Sequence, residues 1–192
     1  MPLRPVVADY RMKYKPRLDE MLSYFAGMPS LEHAIEAAAL ARRPDGKRYR
    51  HQWRIQRSVL EQGARALRAI ESELASSATF RELHDLVVRA TYELRRFGEL
   101  TRYDAALRIG ACRAILPADV YLHAGTRAGC KALGLDATAD VLPVSVFPEP
   151  LRELRPHEIE DLVCIYKKQL ARGGEEGSAP PRGCLSRPST CG

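Results

Sequence analysis

From residue 80 to residue 97 the apolar side chains Phe80, Leu83, Val87, Ala90, Leu94 and Phe97 recur at alternating steps of three and four. That spacing draws one stripe along an α-helix, whereas a strand would alternate every second residue. Thr79 and Glu82 stand at capping-box spacing ahead of the stripe and Gly98 stands behind it, so the pattern predicts a helix over 80–97 with a glycine stop. A second stripe, Leu60, Ala64, Leu67, Ile70 and Leu74, predicts a helix over 58–76 that can pack against the first as an antiparallel pair.

The rest of the chain reads in the same way. Helices are expected over 17–27 and over 31–41, the latter capped by Ser30 after Pro29. Thr101 is placed to cap a helix reaching about residue 115, where Pro117 blocks continuation. A helix over 120–133, closed by Gly134, carries Ala124, Gly125, Ala128, Gly129 and Ala132, small enough to let another backbone approach. The last helix is expected over 156–170, with acids in its first turn and Lys167 and Lys168 near its end. Prolines argue against helix over 141–152, where a short extended segment is expected at 144–147.

The predicted class is therefore all-α, a single domain of about six to eight helices over 1–171. Over 172–192 Gly, Ser and Pro dominate and Leu185 is the one large aliphatic residue, a composition that predicts a disordered tail. At 45% hydrophobic, the chain as a whole has enough apolar surface for a core. Its longest apolar runs fall far short of the roughly 20 residues of a membrane helix. With no apolar leader at residue 1, a cytoplasmic protein with no membrane partner is expected.

The five cysteines, at 112, 130, 164, 184 and 191, show no CxxC spacing, and reduced thiols are the simplest reading. No HExxH, paired His–carboxylate spacing, cysteine cluster, Gly-rich phosphate loop or GxSxG occurs, so neither a metal nor a cofactor is expected. His33, His84 and His157 read as incidental, with His84 and Asp85 facing solvent.

Charge is concentrated. Residues 42–57 hold Arg42, Arg43, Lys47, Arg48, Arg50, Arg54 and Arg57 against the single acid Asp45, which equals the whole chain's net +6. Pro44, Asp45 and Gly46 are turn chemistry, so the cations are expected to straddle a turn and enter a following helix. Such a cluster can neutralise phosphates, and Trp53 or Tyr49 beside it can stack on a base. Nucleic acid is accordingly the expected partner, held by Lys47, Arg48, Arg50, His51, Trp53, Arg54 and Arg57, aided by Gly98 and Thr101. The plainer alternative is a solvated loop with Trp53 in the core.

The stretch Phe97-Gly-Glu-Leu-Thr-Arg-Tyr-Asp-Ala-Ala-Leu-Arg-Ile-Gly110, followed by Leu116-Pro-Ala-Asp-Val-Tyr-Leu-His-Ala-Gly-Thr-Arg127, resembles the helix-hairpin-helix region of the base-excision DNA glycosylase superfamily. The resemblance covers about 30 residues and implies hairpin amides directed at a DNA phosphate, with Gly98 as the first hairpin glycine. Leu100 stands where the second is expected. The family's catalytic Asp would fall at Leu122 or His123, Asp119 comes three to four residues early, and Arg102 stands where an amine nucleophile would be. The implied protein binds DNA without the usual glycosylase residues.

The same region is dense in directional polar groups. Asp104 and Arg108 can pair at i,i+4, and His123 and Arg127 at the same spacing can project together toward an anion. A second reading is thus an enzyme or binding protein for a small, anionic ligand, with a pocket of Tyr103, Asp104, Arg108, Tyr121, His123 and Arg127. Asp104 or His123 would then be its catalytic acid–base group. A protein-interaction module, marked by an exposed apolar patch, is a third.

Overall fold

Apolar stripes at helical spacing need facing stripes to bury them, and the chain supplies these by folding into ten α-helices among its described residues. The computed structural model describes residues 2–176, and only the backbone of 173–176. The helices are α1 (Leu3–Lys13), α2 (Lys15–Ala26), α3 (Leu31–Ala39), α4 (Arg57–Arg68), α5 (Glu71–Ser76), α6 (Phe80–Thr91), α7 (Glu99–Cys112), α8 (Ala124–Ala132), α9 (Glu149–Arg152) and α10 (Pro156–Glu176). β1 (Val120–Tyr121) and β2 (Val141–Leu142) add a two-stranded antiparallel ladder pairing Val120 with Leu142 and Tyr121 with Val141. The class is all-α, as the periodicity predicts.

Two apolar cores hold these elements. Phe25, Ile35, Leu60, Leu67, Leu74, Leu83, Val87, Phe97 and Ile109 fill the first, between α2 and α7. Val6, Val7, Tyr10, Val120, Leu151, Ile159, Leu162 and Val163 fill the second, around α1, α8 and α10. Helices as short as α5 and α9 would not persist in isolation; burial of Leu74 and Leu151 holds them. The capping box forms as expected, the Thr79 hydroxyl accepting the Glu82 amide at 3.2 Å, and Ser30 caps α3.

Several predicted boundaries are corrected, and an arginine of α7 accounts for one of them. The 80–97 helix stops at Thr91 because the Arg102 guanidinium takes the carbonyls of Thr91 (3.0 Å) and Tyr92 (3.1 Å), the role assigned to Gly98. Gly98, extended at φ −77°, is instead the N-cap of α7, and Thr101 lies buried inside its first turn. The 58–76 helix breaks at Ala69–Ile70 into α4 and α5, and Arg113 takes the carbonyls of Leu74 (2.5 Å) and Ser77 (2.9 Å) beyond. The 120–133 helix starts only at Ala124, because Val120 and Tyr121 pair with β2 and the Leu122 amide donates to Asp140 at 2.8 Å. The extended segment lies at β2 rather than 144–147, where the chain makes a 3-10 turn at Val144–Val146. α10 runs through Glu176, into the start of the expected tail; 177–192 lie outside the described residues.

α1 has no counterpart among the helices expected from the sequence, although two prolines stand at its start. Pro5 falls in the first turn, where amides have no intrahelical partner to lose. The small residues of α8 serve the close approach expected of them: a Cβ on Gly129 would meet the Val163 carbonyl oxygen of α10 at 2.3 Å.

Candidate functional site

A buried guanidinium must find acceptors, and those of Arg108 come from three parts of the chain. It pairs with Asp104 at 3.3 Å, donates to Gln52 Oε1 and to the Ala38 carbonyl, each at 3.4 Å, and lies 4.2 Å from the ring centroid of Tyr49. Gln52 in turn donates to Asp104 at 2.5 Å, and His51 Nδ1 lies 3.9 Å from the same carboxylate. Asp104 and Arg108 pair as predicted, but they do not line the cavity that holds Tyr103 and Tyr121. Gln52 and Tyr49 occupy them, and the result is a clamp fixing the basic segment to α7.

That segment does not run into a helix. Arg42 bridges back to Arg48 around a turn in which Gly46 adopts φ 77°, a short 3-10 turn follows at Arg50–Gln52, and α4 begins only at Arg57. The clamp turns part of the loop inward: Gln52 is buried, Tyr49 packs against the first core, and Arg48 donates to the Ile55 carbonyl at 2.8 Å. Outward face Lys47, Arg50, His51, Trp53 and Arg54. Trp53 is 64% exposed, correcting its placement in a core, and the Arg54 guanidinium sits 5.5 Å from its ring centroid. Arg42, Arg43 and Arg57 pair with Glu36, Asp45 and Glu61, whereas among the described residues Lys47, Arg50 and Arg54 have no carboxylate partner. Of the residues expected to meet nucleic acid, Arg48 and Thr101 are turned inward; Gly98 is exposed.

Tyr103, the neighbour of Asp104 on α7, faces a different feature. It lines a cavity of about 380 Å³ together with Tyr121, His123, Arg127, His84 and Arg102. Four of the six expected pocket residues meet there. His84, expected in solvent, instead lies with its ring centroid 4.7 Å from that of Tyr121, tilted by 59°, and burial lowers its pKa, with Asp85 opposing. Burial likewise pushes the Tyr121 phenol up to about 12 and that of Tyr103 well above its ordinary value. The Tyr103 hydroxyl is buried without a partner. Of the arginines lining the cavity, Arg102 is committed to Thr91 and Tyr92, Arg127 to the carbonyls of Ala137 (3.0 Å) and Ala139 (2.7 Å) and to Asp140, and Arg81 lies 3.5 Å from Asp119. His123 and Arg127 therefore do not project together toward an anion.

His123 is the N-cap of α8. Its Nδ1 accepts the Gly125 amide at 3.2 Å, which puts the ring proton on Nε2, donated to the Glu160 carboxylate. The Thr126 hydroxyl donates to the same oxygen at 3.0 Å. With both ring nitrogens committed, His123 offers no free base to the cavity, and Asp104 is equally occupied. Next to Glu160, burial and that carboxylate raise Asp161 to about 7, with the Tyr10 hydroxyl donating to it at 3.1 Å. Glu160 and Cys164 escaped the sequence reading because their i,i+4 spacing on α10 meets His123 across 37 residues of chain; a polar Glu160 on the helix's apolar side was the available signal.

The chain matches no protein-family model, no curated protein and no solved structure. Among the described residues no helix is long and apolar enough to cross a membrane.

Proposed function

We propose that this all-α protein binds nucleic acid through the outward face of its basic loop. The observation that carries the reading is Trp53, an exposed indole with Arg54 over its ring, set among Lys47, Arg50 and His51. Cations without a carboxylate partner are available to replace the counterions of phosphates, and an exposed ring flanked by a guanidinium is a stacking platform for a base. The clamp of Gln52, Asp104 and Arg108 supports the same reading, since it presents the face at little ordering cost. The resemblance to the helix-hairpin-helix region favours DNA, with Gly98 exposed at the start of α7 and the usual glycosylase residues missing.

Trp53 is the chain's single tryptophan, so its fluorescence reports binding directly. Titration with single-stranded and duplex oligonucleotides should quench it, with an affinity that falls steeply as salt rises. Replacing Lys47, Arg50 and Arg54 by Glu should abolish the quench. No binding at low salt, or binding indifferent to salt, overturns the proposal.

The cavity favours a second reading, a pocket for a small planar ligand of no net charge. Tyr121 and His84 offer ring faces, Arg102 and Arg127 are spent internally, and Arg81 is paired with Asp119. Saturation-transfer NMR against free nucleosides tests it, and absence of transfer to every ring removes it.

A further inference from the structure

We infer that the buried cluster of His123, Glu160 and Cys164 is a binding site for one zinc-class divalent cation. Nitrogen, carboxylate oxygen and sulfur from these three side chains lie within 4.8 Å of one another, on the N-cap of α8 and one face of α10. That donor set suits zinc or cobalt rather than magnesium or calcium, which take oxygen alone.

Three observations beyond the cluster favour an ion. The first is charge: the Glu160 carboxylate is buried, and His123, its one ion-pair candidate among the described residues, meets it as a neutral Nε2–H donor. A divalent cation balances what a single imidazole cannot. The second is space: a Cβ on Gly125 would stand 2.5 Å from Cys164 Sγ and 3.2 Å from His123 Cε1, so the glycine is what lets the sulfur lie beside the imidazole. The third is the Tyr103 hydroxyl, an orphan buried polar group on a ring 6.3 Å from that of His123.

Coordination through Nε2 displaces its proton. The neutral ring then carries its proton on Nδ1, the Cys164 thiol loses its own, and the Gly125 amide gives up one long bond at 3.2 Å. The Nδ1–H and the Gly125 amide then both need acceptors, so binding requires a small shift of the ring or of the first turn of α8.

Cobalt(II) titration of the full chain tests the site. One equivalent should produce a sulfur-to-cobalt charge-transfer band that zinc erases. The band should vanish in Cys164→Ser and persist when Cys112, Cys130, Cys184 and Cys191 are replaced by Ser. Zinc should also convert the His123 ring from the Nε2–H to the Nδ1–H tautomer in nitrogen-15 NMR, a change that a purely structural hydrogen bond would not undergo. No band at one equivalent, a band that survives Cys164→Ser, or an unchanged tautomer overturns the inference.

Discussion

The guanidinium of Arg108 lies 4.2 Å from the ring centroid of Tyr49, joining the interior of α7 to the middle of the basic loop. With its bonds to Gln52 and Asp104, this contact holds one side of the loop inward, and Trp53 and the unpaired cations are presented on the other.

Arg108→Met should therefore destabilise the protein by about 3 to 5 kcal/mol, because the largely buried Asp104 carboxylate loses its guanidinium partner. Urea unfolding gives the magnitude. Amide hydrogen exchange should rise over 47–56 more than in α10, and uniform exchange across both would show that the clamp does not order the loop.

Glycines at 129 and 98 should respond to substitution to different degrees. Gly129→Ala pushes a Cβ into the Val163 carbonyl oxygen, which α10 cannot move aside, and should cost about 2 kcal/mol despite the roughly 1 kcal/mol alanine gains inside a helix. Gly98→Ala meets nothing within 4 Å at an N-cap with negative φ, and should change stability by no more than about 1 kcal/mol. Thermal melts of both variants check the contrast.

His157, read from the sequence as incidental, is 1% exposed with neither ring nitrogen partnered. Burial, followed by the Arg155 charge, lowers its pKa from 6.5 to about 4; Glu158 and Asp19 pull the other way and Lys15 adds to the lowering. Between pH 6.5 and 4 the unfolded chain binds this proton and the folded chain does not, so stability falls as pH drops through that window, by about 3 kcal/mol in all. His157→Phe should flatten that part of the stability profile, and an unchanged slope would assign it to other groups.

Thr79→Ala removes the hydroxyl half of the capping box and should cost about 1 kcal/mol, read as a shift of the urea midpoint at constant slope.

Local signals account for what was legible. Thr79 with Glu82 and Ser30 with its first turn are caps made within a few residues, and the stripes of α4 and α6 bury the faces their spacing describes. The i,i+4 pairing of Asp104 and Arg108 was readable for the same reason, though not what the pair would hold. The candidate site was legible as composition: the cations of the loop and the tyrosines of the cavity were named, but which of them face outward was not.

The sequence by itself determined the all-α class, most helix starts and the local concentration of charge, since each depends on residues within one or two turns of one another. Tertiary structure decided where α6 ends, because Arg102 reaches across from α7 to take the carbonyls of Thr91 and Tyr92. It also made Val120 and Tyr121 a strand, by supplying Val141 and Leu142 as partners, and brought His123 to Glu160 and Cys164. A hydrogen bond between distant segments leaves no periodicity in either of them, so it exists only once the chain has folded.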